Sequence, residues 1–131
     1  MALTKVTHSV LEGRYTSKAA DISTTTGTID IECGSNAVFE LTGNLGTCTL
    51  KLKDMKAGQV VDIICSGSDL SSASITLDTN FTTDAINKVG TSDFDTSATN
   101  HLQFVCIDDD DSGAIVNYTV AAYAAQTDPA A

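Results

Sequence analysis

Residues 36 to 65 read NAVFELTGNLGTCTLKLKDMKAGQVVDIIC, and apolar side chains stand at every second position in three segments of this stretch. A period of two is typical of β-strands that turn one face toward a core. Two breaks that contain glycine, Thr42-Gly43-Asn44 and Ala57-Gly58-Gln59, separate the segments; such breaks mark turns. The sequence therefore predicts three short consecutive strands, whose inward residues are Ala37, Phe39, Leu41, Cys48, Leu50, Leu52, Val61, Ile63 and Cys65.

The same period continues on both sides of this stretch. Short strands at a spacing of about ten residues are typical of all-β domains. We therefore expect an all-β fold, namely a compact antiparallel β-sandwich that is similar to a jelly roll. The strand at 59–66 is apolar on both faces because Val60 and Ile64 alternate with its inward residues, so we expect it to be central or covered on its second side. The predicted strands are 28–33, 37–42, 47–53, 59–66, 73–77, 101–107 and 114–123.

The ends of the alternating apolar pattern divide the chain into three predicted regions. Residues 1–27 show little apolar alternation, so we expect them to form an N-terminal attachment arm. We expect residues 28–124 to form the β domain and residues 125–131 a flexible tail. The arm suits either a helical turn near residues 9–14 or an extended segment across a neighbouring subunit, and local sequence does not decide between them. Its apolar contact residues are predicted to be Leu3, Val6, Val10 and Leu11.

Composition predicts a lean core and association between copies. The chain has 131 residues, a length typical of one domain, but only seven aromatic residues and no tryptophan. Large aromatic side chains usually dominate core burial. Because a partner removes further apolar surface from water, at about 25 cal/mol per Å², self-association is the simplest additional source of stability.

Charge excludes several classes of partner. Seven basic residues against 17 acidic ones give a net charge of −10, which repels nucleic-acid phosphates and anionic membrane surfaces. The amino terminus lacks the apolar region of a secretory signal, and no run approaches the ~20 apolar residues of a membrane span. We therefore expect synthesis in a cytoplasm, with no nucleic-acid or membrane partner.

The four cysteines are predicted to be buried and reduced. Each lies inside or at the end of an alternating apolar run, and no CxxC spacing occurs. A cytoplasm keeps thiols reduced, and zinc sites usually use closely spaced cysteine pairs. The alternative is two disulfides among Cys33, Cys48, Cys65 and Cys106.

No residue pattern predicts catalysis or a cofactor. Asp108 to Asp111 offer oxygen ligands suited to Ca²⁺, but the D-x-D-x-D-G spacing is absent, so a solvated turn is the favoured interpretation. Asp93 and Asp95 form a weaker carboxylate pair, for which a loop surface is favoured. His8 and His101 have no nucleophile motif beside them and are predicted to be structural or exposed. Phosphate-binding, zinc and dinucleotide motifs are also absent. Paired carboxylates for glycoside hydrolysis need no local motif, but nothing in the sequence favours them.

We expect the longest predicted connection to form an exposed functional surface. Residues 78–100 are rich in Thr, Asp and Asn and are too long for a plain hairpin connection. Long excursions of this kind often carry binding residues. The candidate residues are Asp84, Asn87, Asp93, Phe94 and Asp95.

The order of short motifs resembles a known family. An LTGN turn at residues 41–44, an AGQ turn at 57–59, an N-x-L-x-F strand at 100–104 and an acidic glycine turn at 108–113 follow one another along the chain. Over residues 28–123, this order resembles the small β module of tailed-bacteriophage fibre and decoration proteins. The opening MALTKV is also similar to the start of many phage fibre proteins, in which such an arm anchors the appendage to the particle.

The resemblance implies a structural function in a virion. Family members commonly form homotrimers, so we expect a homotrimer that is made in the host cytoplasm and docks through its arm onto capsid or tail proteins. The chain has no collagen-like, coiled-coil or β-helical shaft and lacks the tryptophan often found in the closing hairpin. A short head fibre, decoration protein or tail appendage therefore fits better than a long tail fibre. The alternative is a tail-fibre module that recognises host-surface glycans.

Overall fold

The computed structural model describes residues 20–124, and these residues form an all-β body with no helix. The predicted arm residues Leu3, Val6, Val10 and Leu11, as well as His8 and residues 125–131, lie outside the described residues. The prediction of an all-β fold is confirmed. The strands are β1 (Ala20–Ile22), β2 (Gly27–Glu32), β3 (Val38–Leu41), β4 (Thr47–Lys53), β5 (Val60–Cys65), β6 (Ser74–Thr79), β7 (Asp84–Lys88), β8 (Asn100–Asp108) and β9 (Ala114–Ala122).

Two sheets of unequal width hold these strands. The large sheet has six strands in the order β1-β3-β5-β8-β9-β7, and the small sheet has three in the order β2-β4-β6. Five of the seven strand pairs are parallel, and only β5-β8 and β8-β9 are antiparallel. The predicted antiparallel pairing is therefore wrong for most of the molecule. The predicted jelly-roll likeness, which rested on that pairing, is not confirmed.

The parallel pairs arise because the chain changes sheets after each of its first strands. From β1 to β6, successive strands belong alternately to the large and the small sheet. Strands that are neighbours in one sheet are thus two apart in sequence, as Phe39 opposite Ile63 and Leu50 opposite Leu77 show. Turns such as residues 42–44 therefore carry the chain across to the other sheet, instead of closing hairpins.

The segments that connect one sheet with the other, called links below, stack on one another. The Thr42 amide donates to the Ile22 carbonyl at 3.0 Å, and the Gly46 amide donates to the Thr25 carbonyl at 2.9 Å. One strand further along the small sheet, the Ser74 amide donates to the Gly46 carbonyl at 3.0 Å. Hydrogen bonding therefore continues through the links as well as through the strands.

Two strands lie where no strand was predicted. β7 falls inside the predicted connection at 78–100 and pairs in parallel with β9, so the irregular parts of that region are residues 80–83 and 89–99. β1 lies within the predicted arm and pairs with β3. Both are short, and neither contains a clear apolar alternation, which is why the pattern did not reveal them.

One core lies between the sheets and contains the predicted inward residues. Eight of the nine are at most 3 % exposed, while Ala37 is half-buried just before β3. On the outer side of the small sheet, Lys53 lies 3.7 Å from Asp30 and 3.6 Å from Glu32, so that side carries solvent-facing ion pairs. Burying a large aliphatic side chain contributes about 1.5–3 kcal/mol, which makes this shared core the main stabilising feature.

Gln59 joins three parts of the fold in the core. Its side-chain Nε2 donates to the Cys33 carbonyl at 2.6 Å, and its Oε1 accepts from the Lys56 amide at 3.0 Å. Its carbonyl accepts from the Cys106 amide at 3.0 Å. The AGQ turn thus ties the end of β2, the β4-β5 link and β8 together.

All four cysteines are free and buried, as the favoured interpretation predicted. Burial raises the pKa of the Cys33 and Cys65 thiols from 9.0 to about 12. Burial also raises the pKa of Cys48 and Cys106. The thiolate is the reactive form of cysteine, so these thiols are protected both by burial and by protonation.

We predict that none of the four thiols reacts with an aromatic disulfide reagent at pH 8 in the folded protein, whereas all four react in denaturant without reductant. Because the unfolded chain releases thiol protons near pH 9.0 and folded Cys33 and Cys65 only near 12, the free energy of unfolding should fall as pH rises above 9.0. Two or fewer reactive thiols in denaturant would instead reveal disulfides.

Gly67 lies where two stacked links touch. A Cβ atom at this position would overlap the Gly43 carbonyl oxygen, and it would lie 2.8 Å from the Gly43 carbonyl carbon and 2.9 Å from the Asn44 Oδ1 atom. Backbone atoms cannot move aside as the end of a flexible side chain can. The two links therefore require glycine at this contact.

We expect Gly67→Ala to destabilise the protein by about 1–3 kcal/mol, the usual cost of overpacking, as measured by urea unfolding. Gly113→Ala is the matched control, because a Cβ there meets nothing within 4 Å. Equal unfolding midpoints for the two variants would contradict the stacked arrangement of the links.

A cleft between the two sheets as the candidate binding site

The unequal width of the sheets leaves a cleft beside β6. The small sheet ends at β6, while the large sheet continues through β8, β9 and β7. Beside β6, the inward residues Leu102 of β8 and Tyr118 and Val120 of β9 line a cavity. The cavity has a volume of about 310 Å³, near the lower end of the range found for small-molecule sites.

The cleft has apolar walls and a polar rim. The wall on β6 is formed by Ile75 and Leu77, which are only half-buried because β6 is an edge strand. The floor is formed by Leu102, Tyr118 and Val120. The rim and remaining wall are formed by Ala73, Lys88, Asp93, Phe94 and Thr96.

An ion pair crosses the mouth of the cleft. The Lys88 Nζ atom lies 2.5 Å from the Asp93 Oδ1 atom, and the side chain of Asp93 is 88 % exposed. This hydrogen bond and the lysine charge hold the pKa of Asp93 below its ordinary value. Since Asp93 is so exposed, the pair contributes little stability, and both groups remain accessible to a polar ligand.

Two aromatic rings belong to this site. Phe94 is half-buried and packs against the core. Tyr118 stacks on Phe104 with ring centroids 5.6 Å apart. Together they give the cleft aromatic surface beside charged groups, a combination suited to a ligand with both apolar and hydroxyl-bearing faces.

A buried amide holds the loop that forms the rim. Asn100 is fully buried, and its Oδ1 accepts from the Asp95 amide at 2.8 Å. Its Nδ2 donates to the Asp95 carbonyl at 2.8 Å and to the Ala98 carbonyl at 2.9 Å. The residue that begins β8 therefore fixes residues 95–98 through three hydrogen bonds.

The predicted loop residues take different positions. Asp93 and Phe94 line the cleft. Asp84 lies in β7 and accepts a hydrogen bond from the Thr79 hydroxyl, while the Asn87 amide donates to Asn117 at 3.2 Å. Asp95 accepts from the Ser97 amide and hydroxyl, and these bonds hold its pKa below 3.8. Only two of the five predicted residues thus come together at one site.

The four adjacent aspartates have separate partners. Asp108 accepts from the Asp110 amide, Asp109 from the Ala57 amide and Asp110 from Ser112. Asp111 accepts from the amide and hydroxyl of Thr82, which holds its pKa below the ordinary value. Within residues 20–124, no group of three or more His, Cys, Asp or Glu side chains is arranged to hold a metal ion.

His101 lies outside the cleft, on the other face of the large sheet. Its Nε2 atom is 2.7 Å from the Asp62 Oδ1 atom, which also accepts from the Gln103 amide at 3.0 Å. The histidine thus has a carboxylate partner but no nucleophile within these contacts.

The remaining residues of the cleft were not predicted from the sequence. Chief among them are Lys88, Tyr118 and the β6 residues Ile75 and Leu77. Lys88 is the only cation between residues 57 and 124, which is a signal that the sequence contains. Tyr118 follows the alternation of its strand, and nothing local distinguishes it from a core residue.

The comparisons with known proteins found no matching family model, curated protein or solved structure. In the described part of the chain, no helix has the length and apolarity that crossing a membrane requires.

We predict that Asn100→Ala costs about 1–3 kcal/mol per backbone group left without a partner and accelerates hydrogen exchange at residues 95–98. Urea unfolding and amide exchange would measure the two effects. Asn87→Ala is the matched control, since that side chain is exposed and its amide donates to the side chain of Asn117 at the surface; its effect should stay within about 0.5 kcal/mol. Unchanged exchange at residues 95–98 would show that Asn100 does not hold the loop.

Proposed function

We propose that this chain is a structural subunit of a bacteriophage virion, a homotrimer fixed to the capsid or tail through the part of the predicted arm that precedes β1, residues 1–19. The resemblance of residues 28–123 to phage fibre and decoration modules supports this proposal. Each motif that carries the resemblance falls at a strand start or a link of the fold: residues 41–44 and 57–59 precede β4 and β5, and residues 108–113 join β8 to β9.

The observation that carries the proposal is the winding of β1 to β6 into two parallel ladders around one core. In each ladder, backbone hydrogen bonds join every strand to the next, and further bonds join the stacked links. Force applied across the strands is therefore shared by both sheets and the links between them. Such a body suits a small rigid component of a particle.

The interior is consistent with this mechanical role. Among residues 20–124, no buried side-chain nitrogen or oxygen lacks a hydrogen-bond partner. Fully satisfied buried polar groups favour one well-defined structure. The acidic surface also keeps unassembled copies soluble.

We expect the purified chain to have the mass of a trimer, about three times 13.6 kDa, by light scattering across micromolar concentrations. A monomer throughout this range would contradict the proposed assembly. Mass spectrometry of purified particles should detect the chain, and gold labelling should locate it on the capsid or the tail.

Docking through the arm is tested separately. We expect the double substitution Val10→Asp with Leu11→Asp to abolish incorporation into particles while leaving the mass of the trimer unchanged, because the arm is proposed to bind other virion proteins. Ser9→Asp with Glu12→Asp is the control, since it alters polar residues of the same segment. Normal incorporation of the first variant would contradict docking through these apolar residues.

A second candidate function is recognition of host-surface glycans, which the cleft favours. Sugars bind well to sites that combine aromatic faces with charged hydrogen-bonding groups, and Phe94, Tyr118, Lys88 and Asp93 supply both at one cavity. A glycan array would test this function. Binding that is lost in Asp93→Asn but kept in Asp69→Asn, which alters an exposed carboxylate outside the cleft lining, would support it; no binding by the wild-type protein would reject it.

A further inference from the structure

The outer face of the large sheet carries apolar side chains that the fold itself does not cover. Val60 is 42 % exposed and Ile107 is 52 % exposed. Val60 lies directly opposite Val105 in the β5-β8 pair. Beyond β9, Val89 is also 52 % exposed. Val89, Val105 and Ile107 line a shallow groove of about 280 Å³.

This face differs from the rest of the molecule in charge. Of the 17 acidic residues in the chain, 15 lie within residues 20–124, against four lysines. Across β5, β8 and β9, however, the only carboxylates are that of Asp108, at the very end of β8, and that of Asp62. His101 and Gln103 both bind this carboxylate. The middle of this face, away from Asp108, is therefore nearly uncharged on a strongly acidic body.

A neutral face of this composition complements itself. Gln103 and Asn117 lie on the groove and carry amide groups, each of which both donates and accepts hydrogen bonds. The valine and isoleucine side chains pack equally well against copies of themselves. Acidic surfaces, in contrast, repel their own copies. Contact between two identical chains thus avoids like-charge repulsion at this face.

We propose that the outer face of β5, β8 and β9 is the surface through which copies of this chain bind one another, with apolar side chains of one copy in the groove of the next. A second copy is the occupant that the charges favour, because a cationic partner would be attracted to the acidic sides instead of this neutral one. The inference rests on the proposed homo-oligomer and identifies its interface.

The test is the oligomeric state of charge variants, measured by sedimentation equilibrium. Val105→Asp and Val60→Asp should each weaken association at least about tenfold, because each would bury an unpaired carboxylate at the interface. Thr76→Asp is the matched control. It adds the same charge to an exposed position in β6 of the small sheet and should associate like wild type.

The outcomes separate the inference from the proposed function. If wild type forms an oligomer and both folded variants do so with equal affinity, this interface is wrong and the assembly stands. If wild type is a monomer at every concentration, both are wrong. Where a variant fails to fold, hydroxyl-radical labelling of wild type replaces it: Val60 and Ile107 should be protected in the concentrated oligomer and labelled after dilution, and equal labelling would overturn the interface.

Discussion

Packing between the two sheets is the interaction on which the rest of this structure depends. The inward side chains of β3 and β5 meet those of β2 and β4 in one core, and neither sheet has another apolar layer to cover that face. Consecutive strands can supply both sides of this core only if each link crosses from one sheet to the other. The links must therefore be short and must stack closely, which explains the glycine required at Gly67.

The pattern of the sequence revealed which residues lie inside but not which strands are neighbours. Leu50 and Ile63 alternate with polar or outward residues, and both are fully buried. The same alternation results whether a turn closes a hairpin or carries the chain to a facing sheet, because either route presents the next apolar face to the core. The position of the Thr42-Gly43-Asn44 turn was therefore predicted correctly, but the expected antiparallel pairing of the strands was not.

The candidate site was less predictable for a related reason. The cleft exists because β6 has no neighbour on one side while the large sheet continues past it, and relative sheet width is a property of topology. Asp93 and Phe94 were selected from loop composition alone. Lys88 and Tyr118 reach the same cavity through the parallel pairing of β7 with β9, a contact between strands whose sequences give no indication that they pair.

The loop at residues 89–99 is anchored at both ends and, between them, by Phe94, which packs against the core. The Val89 amide donates to the Tyr118 carbonyl at 2.7 Å, and the Tyr123 amide donates to the Thr99 carbonyl at 2.7 Å, while Asn100 fixes the segment just before β8. Length changes near Gly90 would leave these anchors and both sheets intact. A lineage carrying this fold can therefore reshape its cleft by insertion or deletion in one short segment, without any compensating substitution in the interior.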